Sequence, residues 1–342
     1  MSKTRRSLPS SLPKKPSLYK HWFDCTNAKA SVGVGLGFLN AIHYMAPHNQ
    51  AGGQTVCPWA ARCAKPCLTA SGKGGLPPIR EGRIKRTLRF LQDPIAYAGL
   101  HLQTIDGRGT RSKKHLFSVA AMYGLRPALR LNGTSDIPWE KASFGIFQEF
   151  PNLVKYDYTK SWERVLDWLR GSRGSLGHGF RSGGRGDFRD VRNYHLTMSL
   201  GGILDSKPHA SETYREILDL GGNIAAVWES KALMHRAMEQ GVREFLINDA
   251  AGNIIKRIDL GSRRQVIDGN AGADQGGNGD LRFLDPKGVI VGLYAKQGTL
   301  HLDRGHQKFF MRNPESVSVS VMGLPMGAMR SDGDHIGIDV PS

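Results

Sequence analysis

The stretch LVKYDYTKSWERVLDWLR, residues 153–170, holds a strand, a polar turn and a helix in immediate succession. Residues 153–158 carry apolar and aromatic side chains interleaved with Lys155 and Asp157, Thr159-Lys160-Ser161 breaks the run, and 161–169 reads as helix. The same unit recurs in both directions. Short apolar or β-branched runs bounded by breakers predict strands at 37–45, 128–131, 194–199, 224–228, 266–268 and 289–293. Helices are predicted at 80–91, 94–105, 113–123, 211–218 and 230–240. Asp93 before Pro94 is a capping carboxylate ahead of a first-turn proline, and Ser230 and Gly241 bracket the last helix. Strand and helix in alternation predict an α/β protein with a parallel sheet and right-handed crossovers. About seven strands suit a closed or partial (β/α) barrel. In such folds the chemistry sits at the carboxyl ends of the strands.

The chain has 342 residues, of which 39% are hydrophobic and 23% charged, as expected of a globular protein. No apolar run approaches the roughly 18 residues of a membrane-spanning helix. Residues 1–20 are basic with no apolar segment after them, and read as a flexible arm and not a secretory signal. A single barrel-like domain is expected over 21–302, interrupted by a Gly/Arg/Ser-rich insertion at 171–192, with a loosely docked tail at 303–342. The net charge of +17 favours a polyanionic partner, DNA or RNA. Solubility and basic tails are the plainer account of the same excess.

Three of the four cysteines, Cys57, Cys63 and Cys67, crowd into one loop directly after the first predicted strand, with spacing C-x5-C-x3-C. A secreted domain would spread its cysteines as paired staples, so this crowding predicts metal ligation in a reducing, cytoplasmic compartment. Thiolates suit iron–sulfur iron or zinc. Zinc needs a fourth ligand, for which Cys25, His43 and His48 are candidates. Three buried, unliganded thiols are the structural alternative.

Polar residues close the other predicted strands. Asn132, Ser135, Asp136, Thr159, Lys160, Ser199 and Asp268 converge on one mouth if the barrel forms. Asp136 is a candidate base or nucleophile, and Lys160 a candidate cation for phosphate or carboxylate. Ser199 completes the set expected to touch substrate, while Asn132, Ser135, Thr159 and Asp268 are expected to hold a cofactor. Asp136 and Ser161 also read as ordinary helix caps. In the Gly-rich loop 269–280 and beyond it, Asp268, Asp280, Arg282 and Asp285 suit a metal or ribose, or simply turns. Neither a GxGxxG fingerprint in strand context nor a GxxxxGK[ST] loop is present. Arg83, Lys85, Arg86 and Arg89 are expected to cover the exposed side of their helix and to contact phosphates. The basic insertion has few aromatics, so no stacking platform is indicated.

Tyr44-Met45-Ala46-Pro47-His48, the Val56-Cys57-Pro58-Trp59-Ala60 run with its two later cysteines, a basic helix, Ser135-Asp136, Tyr158-Thr159-Lys160-Ser161 and a strand ending in Ser199 follow one another in order. This order resembles the phage "gene product eighty-eight" family over about residues 36–300. It implies a phage protein acting in the infected bacterial cell. The position of the cysteine loop, between first strand and first helix, also resembles radical SAM enzymes. That resemblance implies a [4Fe–4S] cluster on Cys57, Cys63 and Cys67 whose open iron binds S-adenosylmethionine. The expectation is a phage iron–sulfur protein acting on nucleic acid or a nucleotide. Its rivals are a base-modifying, transglycosylase-like enzyme with Asp136 as nucleophile and a structural zinc, and a non-enzymatic DNA- or RNA-binding protein with a structural metal.

Overall fold

The computed structural model describes residues 18, 22–64, 76–142, 144–171, 193–228, 230–248, 254–294 and 317–320. The rest of the basic arm, Cys67, the body of the insertion and most of the tail lie outside the described residues.

An eight-stranded sheet forms the frame. β2 (Phe38–His43), β3 (Arg126–Arg130), β4 (Val154–Thr159), β5 (Tyr194–Ser199) and β6 (Asn223–Trp228) are neighbours in chain order and all parallel. β10 (Ile290–Tyr294) lies parallel to β6, and β9 (Val266–Asp268) parallel to β10 at one edge. At the other edge, β1 (Phe23–Asp24) pairs antiparallel with β2, the short helix α1 (Ala28–Val32) lying between them in the chain. No pairing joins β1 to β9 among the described residues, so the sheet is open and the closed barrel is not found. Closure needs tilted, staggered strands with full ladders at the seam. Here one seam strand is two residues long and reversed, and the other has three residues.

A smaller sheet carries β7 (Val242–Asn248) and β8 (Ile254–Arg264), which are antiparallel, and β11 (Val317–Ser320), parallel to β7. β11 is the Val-Ser run of the expected tail.

Because β2 to β6 follow chain order, right-handed crossovers place their helices on one face. These are α2 (Pro77–Gln92), α3 (Pro94–Asp106), α4 (Leu116–Met122), α5 (Trp139–Ala142), α6 (Phe144–Glu149), α7 (Trp162–Gly171) and α8 (Ala210–Asp219). Asp93 accepts from Ala96 N at 2.9 Å and Ser230 from Leu233 N at 3.2 Å, as the capping pattern predicts. On the helix face, β2 presents Leu39, Ala41 and His43 to the core. The opposite face, with Phe38, Ala128 and Tyr156, packs against Leu281 and Phe283 of the segment after the Gly-rich loop. The last residue of that loop, Asp280, takes Arg130 Nη1 at 2.6 Å in a buried ion pair beneath the Tyr156 and Tyr158 hydroxyls.

Under α3 lies a nest of rings. His43 Nδ1 donates to Leu131 O at 3.1 Å, so the neutral ring accepts from Tyr97 Oη through Nε2 at 2.8 Å. The His101 ring meets His43 edge-on at a centroid separation of 4.7 Å and lies tilted against Trp139 at 4.9 Å, and neither of its nitrogens has a hydrogen-bond partner among the described residues. Burial pushes the His101 pKa down to about 3. The unfolded ring titrates near 6.5. Between these values only the unfolded chain takes up the proton, so stability falls as the pH drops through that window. His101→Phe keeps the ring and removes two orphaned nitrogens. Urea melts should show the variant at least as stable at pH 7, with a shallower loss towards pH 4. An unchanged pH slope would contradict this account of the nest.

Candidate active site at the carboxyl edge of the sheet

The loop after β2, residues 44–64, folds over the carboxyl ends of β3, β4 and β5. Asp136 N donates to Val56 O at 2.8 Å and Thr134 Oγ1 to Met45 O at 2.5 Å. Ala60 forms a bridge with Gly202, Ile203 N donates to Trp59 O at 3.2 Å, and Cys63 N to Gly201 O at 3.3 Å. Two glycines permit this seam. A Cβ on Gly133 would stand 2.4 Å from His43 O, and one on Gly202 would stand 2.9 Å from Lys160 Cβ and 3.2 Å from Trp59 O.

Cys57 and Cys63 are both half-buried in this loop. His48 N donates to Cys57 Sγ at 3.3 Å, and the sulfur lies 3.8 Å from Thr134 O. Cys57 N donates to Thr55 Oγ1 at 3.1 Å, which also hydrogen-bonds His48 Nδ1 at 3.1 Å. His48 holds this position with a positive φ of 52°. Among the described residues no group of three His, Cys, Asp or Glu side chains is arranged to hold a metal, and Cys67 lies outside them. Two of the proposed fourth ligands are placed elsewhere. Both nitrogens of His43 are engaged in the aromatic nest. Cys25 is buried beyond β1, its thiol pushed up to about 12 by burial. His48 is the candidate that stands beside Cys57.

Beneath the loop lies a closed polar network. Asp136 accepts from Thr159 Oγ1 at 2.7 Å, from Arg164 Nη1 at 3.2 Å and from Lys160 N at 2.8 Å. Burial raises its pKa; Arg164, Thr159 and the Lys160 amide act in the opposite direction. Arg164 also grips Glu140 through two bonds of 2.7 and 2.8 Å and the Tyr194 hydroxyl at 3.1 Å. Asn132 shapes the adjoining turn: its Oδ1 accepts from Ser135 Oγ, Ile137 N and Trp139 Nε1, and its Nδ2 donates to Ile137 O. Asp157, with its pKa pushed up to about 7 chiefly by burial, accepts from Asn132 N at 2.6 Å and Tyr194 Oη at 2.9 Å. Asn132, Ser135, Asp136 and Thr159 are therefore brought together, but buried and committed to one another. Asp136 is held as an anchor holds, with both oxygens occupied. Arg164, Glu140 and Tyr194 escaped the sequence reading. The available signal was an arginine next to Val165, inside the apolar stripe of α7.

Lys160 and Ser199 stay half-buried at the surface of the mouth, with Lys160 Nζ donating to Ser199 Oγ at 2.9 Å and to Leu200 O at 2.7 Å. Asp268 stands on edge strand β9, where its Oδ1 accepts from Asn270 N and Ala271 N and so builds a turn. The basic helix α2 divides. Lys85 and Arg89 are exposed, and Arg89 lies over the Trp22 ring. Arg86 turns inward and donates to Tyr44 O at 2.8 Å, and Arg83 packs over the Tyr44 ring. The expected fully exposed basic face is thus split, because α2 uses half of it to hold the start of the cysteine loop.

The profile of the family described as Gene product 88 matches residues 18–312. The chain belongs to the phage gene product 88 family. No curated protein and no solved structure gives a significant match. The comparisons give no support to the likeness to radical SAM enzymes. Within the gene product 88 match fall Cys57, Cys63, Lys160 and Ser199, together with the network that supports them.

If Asp136 is an anchor, Asp136→Ala should cost about 3 kcal/mol in urea unfolding, since it takes an ion partner from a buried arginine. A variant within about 0.5 kcal/mol of the parent would return Asp136 to the list of reacting groups.

Proposed function

We propose that this protein is a phage enzyme acting on nucleic acid or a nucleotide at the carboxyl edge of its sheet, with a metal centre on Cys57, Cys63 and Cys67. The supporting observation is the cysteine loop folded over the ends of β3 to β5, next to Lys160 and Ser199. Strands ordered along the chain suit an open, barrel-like mouth, and such mouths gather chemistry from several strand ends. The donor set fits the group: thiols on one short loop are soft ligands, suited to iron–sulfur iron before harder cations. A cluster held by three thiolates keeps one iron open to a cofactor such as S-adenosylmethionine or to substrate, and supplies one-electron chemistry. The chain's own residues would orient the substrate through Lys160 and Ser199 and admit it past the exposed Lys85 and Arg89. The net charge of +17 supports the nucleic-acid half of the reading, and reduced thiols fit action inside the infected cell. Among the described residues no helix is long and apolar enough to cross a membrane.

A second reading, zinc, is favoured by His48, whose amide bonds the Cys57 sulfur and whose ring lies in the same loop. Anaerobic purification with metal and sulfide analysis separates the two. Iron and sulfide in equal amounts, lost in Cys57→Ser and Cys63→Ser, is the expected result. Stoichiometric zinc that disappears in His48→Ala establishes the second reading. Protein free of both metals in every preparation would overturn the metal centre altogether.

A further inference from the structure

We propose that Lys160 and Ser199 form the subsite that holds a phosphate group of the nucleotide or nucleic-acid strand. This rests on the nucleic-acid reading above and names the atoms that would carry it.

The argument starts from charge balance. Three buried arginines of the fold have carboxylate partners: Arg130 has Asp280 at 2.6 Å, Arg282 has Asp285 at 3.0 Å, and Arg164 has Asp136 and Glu140. Lys160 differs. Its ammonium is half-buried, and its hydrogen-bond partners among the described residues are a hydroxyl and a carbonyl, both neutral. The nearby Asp136 carboxylate spends its oxygens on Thr159, Arg164 and the Lys160 backbone amide, and makes no ion pair with Nζ. An ammonium partly removed from water gains when an anion completes its shell.

Three further features point the same way. Ser199 Oγ accepts from Lys160, and its own proton is spent only on a long 3.4 Å bond to Leu200 O, which a bond to an anionic oxygen would replace. Helix α7 begins at Trp162, so its positive end adds to the potential at Lys160. Gly202 lies against the Lys160 stem and is bridged to Ala60, so an anion on Nζ would lie beside the loop that carries Cys57 and Cys63. The two ends of one mouth would thus serve one ligand, its phosphate on Lys160 and its reacting part towards the cysteines.

The test is site-resolved acetylation of the full-length protein, read by mass spectrometry for each lysine, with and without a short single-stranded oligonucleotide. Fluorescence polarisation establishes in parallel that the oligonucleotide is bound. Inorganic phosphate alone forms a second arm. The oligonucleotide should slow modification of Lys160 by about tenfold, the factor of one charge-assisted contact, and leave exposed Lys141 unchanged. Phosphate alone should slow it less. Ser199→Ala, which leaves the lysine in place, should reduce the protection by roughly threefold. Bound oligonucleotide with Lys160 modified at its free rate would overturn the subsite while leaving the nucleic-acid reading intact. No binding by polarisation would remove that reading and the subsite with it. Protection by inorganic phosphate but not by the strand would reassign the subsite to a small free phosphate compound and overturn the proposal as stated.

Discussion

A guanidinium sealed from water holds the carboxyl edge together. Arg164 reaches from α7 to Asp136 in the turn after β3, to Glu140 on α5, to Thr159 at the end of β4 and to Tyr194 on β5. Each contact belongs to a different element, so the turn that accepts the cysteine loop keeps its shape only while Arg164 is satisfied. Buried charge of this kind is costly to assemble and costlier to break, because a lost partner leaves the rest desolvated. The surface groups of the mouth depend on it: Lys160 is placed by the bond from its amide to Asp136, and Val56 by the amide of Asp136 itself.

Much of the frame was legible because breakers flank its elements. The strands at 194–199 and 266–268 coincide with β5 and β9, and the helices capped by Asp93 and Ser230 begin where those residues place them. What escaped was whatever departs from apolar patterning. Strand β8 did, because it carries Lys256, Arg257, Arg263 and Arg264 and reads as a polar linker. Lys155 lies inside β4 and reads as a solvent-facing position, yet it is buried and caps the carbonyls of Phe150 and Leu153 at 2.7 and 2.8 Å. The open sheet was missed for a related reason: counting strands does not reveal that the seam strands are too short to join.

At the site, the sequence told where polar residues cluster but not which would remain available. Asn132, Asp136 and Lys160 look alike as strand-end residues. Their fates divide according to partners far along the chain, such as Arg164 at 28 residues from Asp136, for which no local pattern exists. The Gly-rich loop shows the same limit. Asp280 looked like a ligand or a turn former, and its partner is Arg130, 150 residues away.

That last separation bears on how the protein comes into being. The seam over the mouth joins residues near 60 to residues near 202, and the ion pair on the opposite face joins 130 to 280. Both are non-local closures, whose chain entropy is spent before any contact compensates for it. On the ribosome, a nascent chain that has emerged as far as β4 already displays the cysteine loop, while the residues that will roof and floor it are still unmade. The thiols therefore pass through a stage in which they are open to solvent, before the mouth has formed around them.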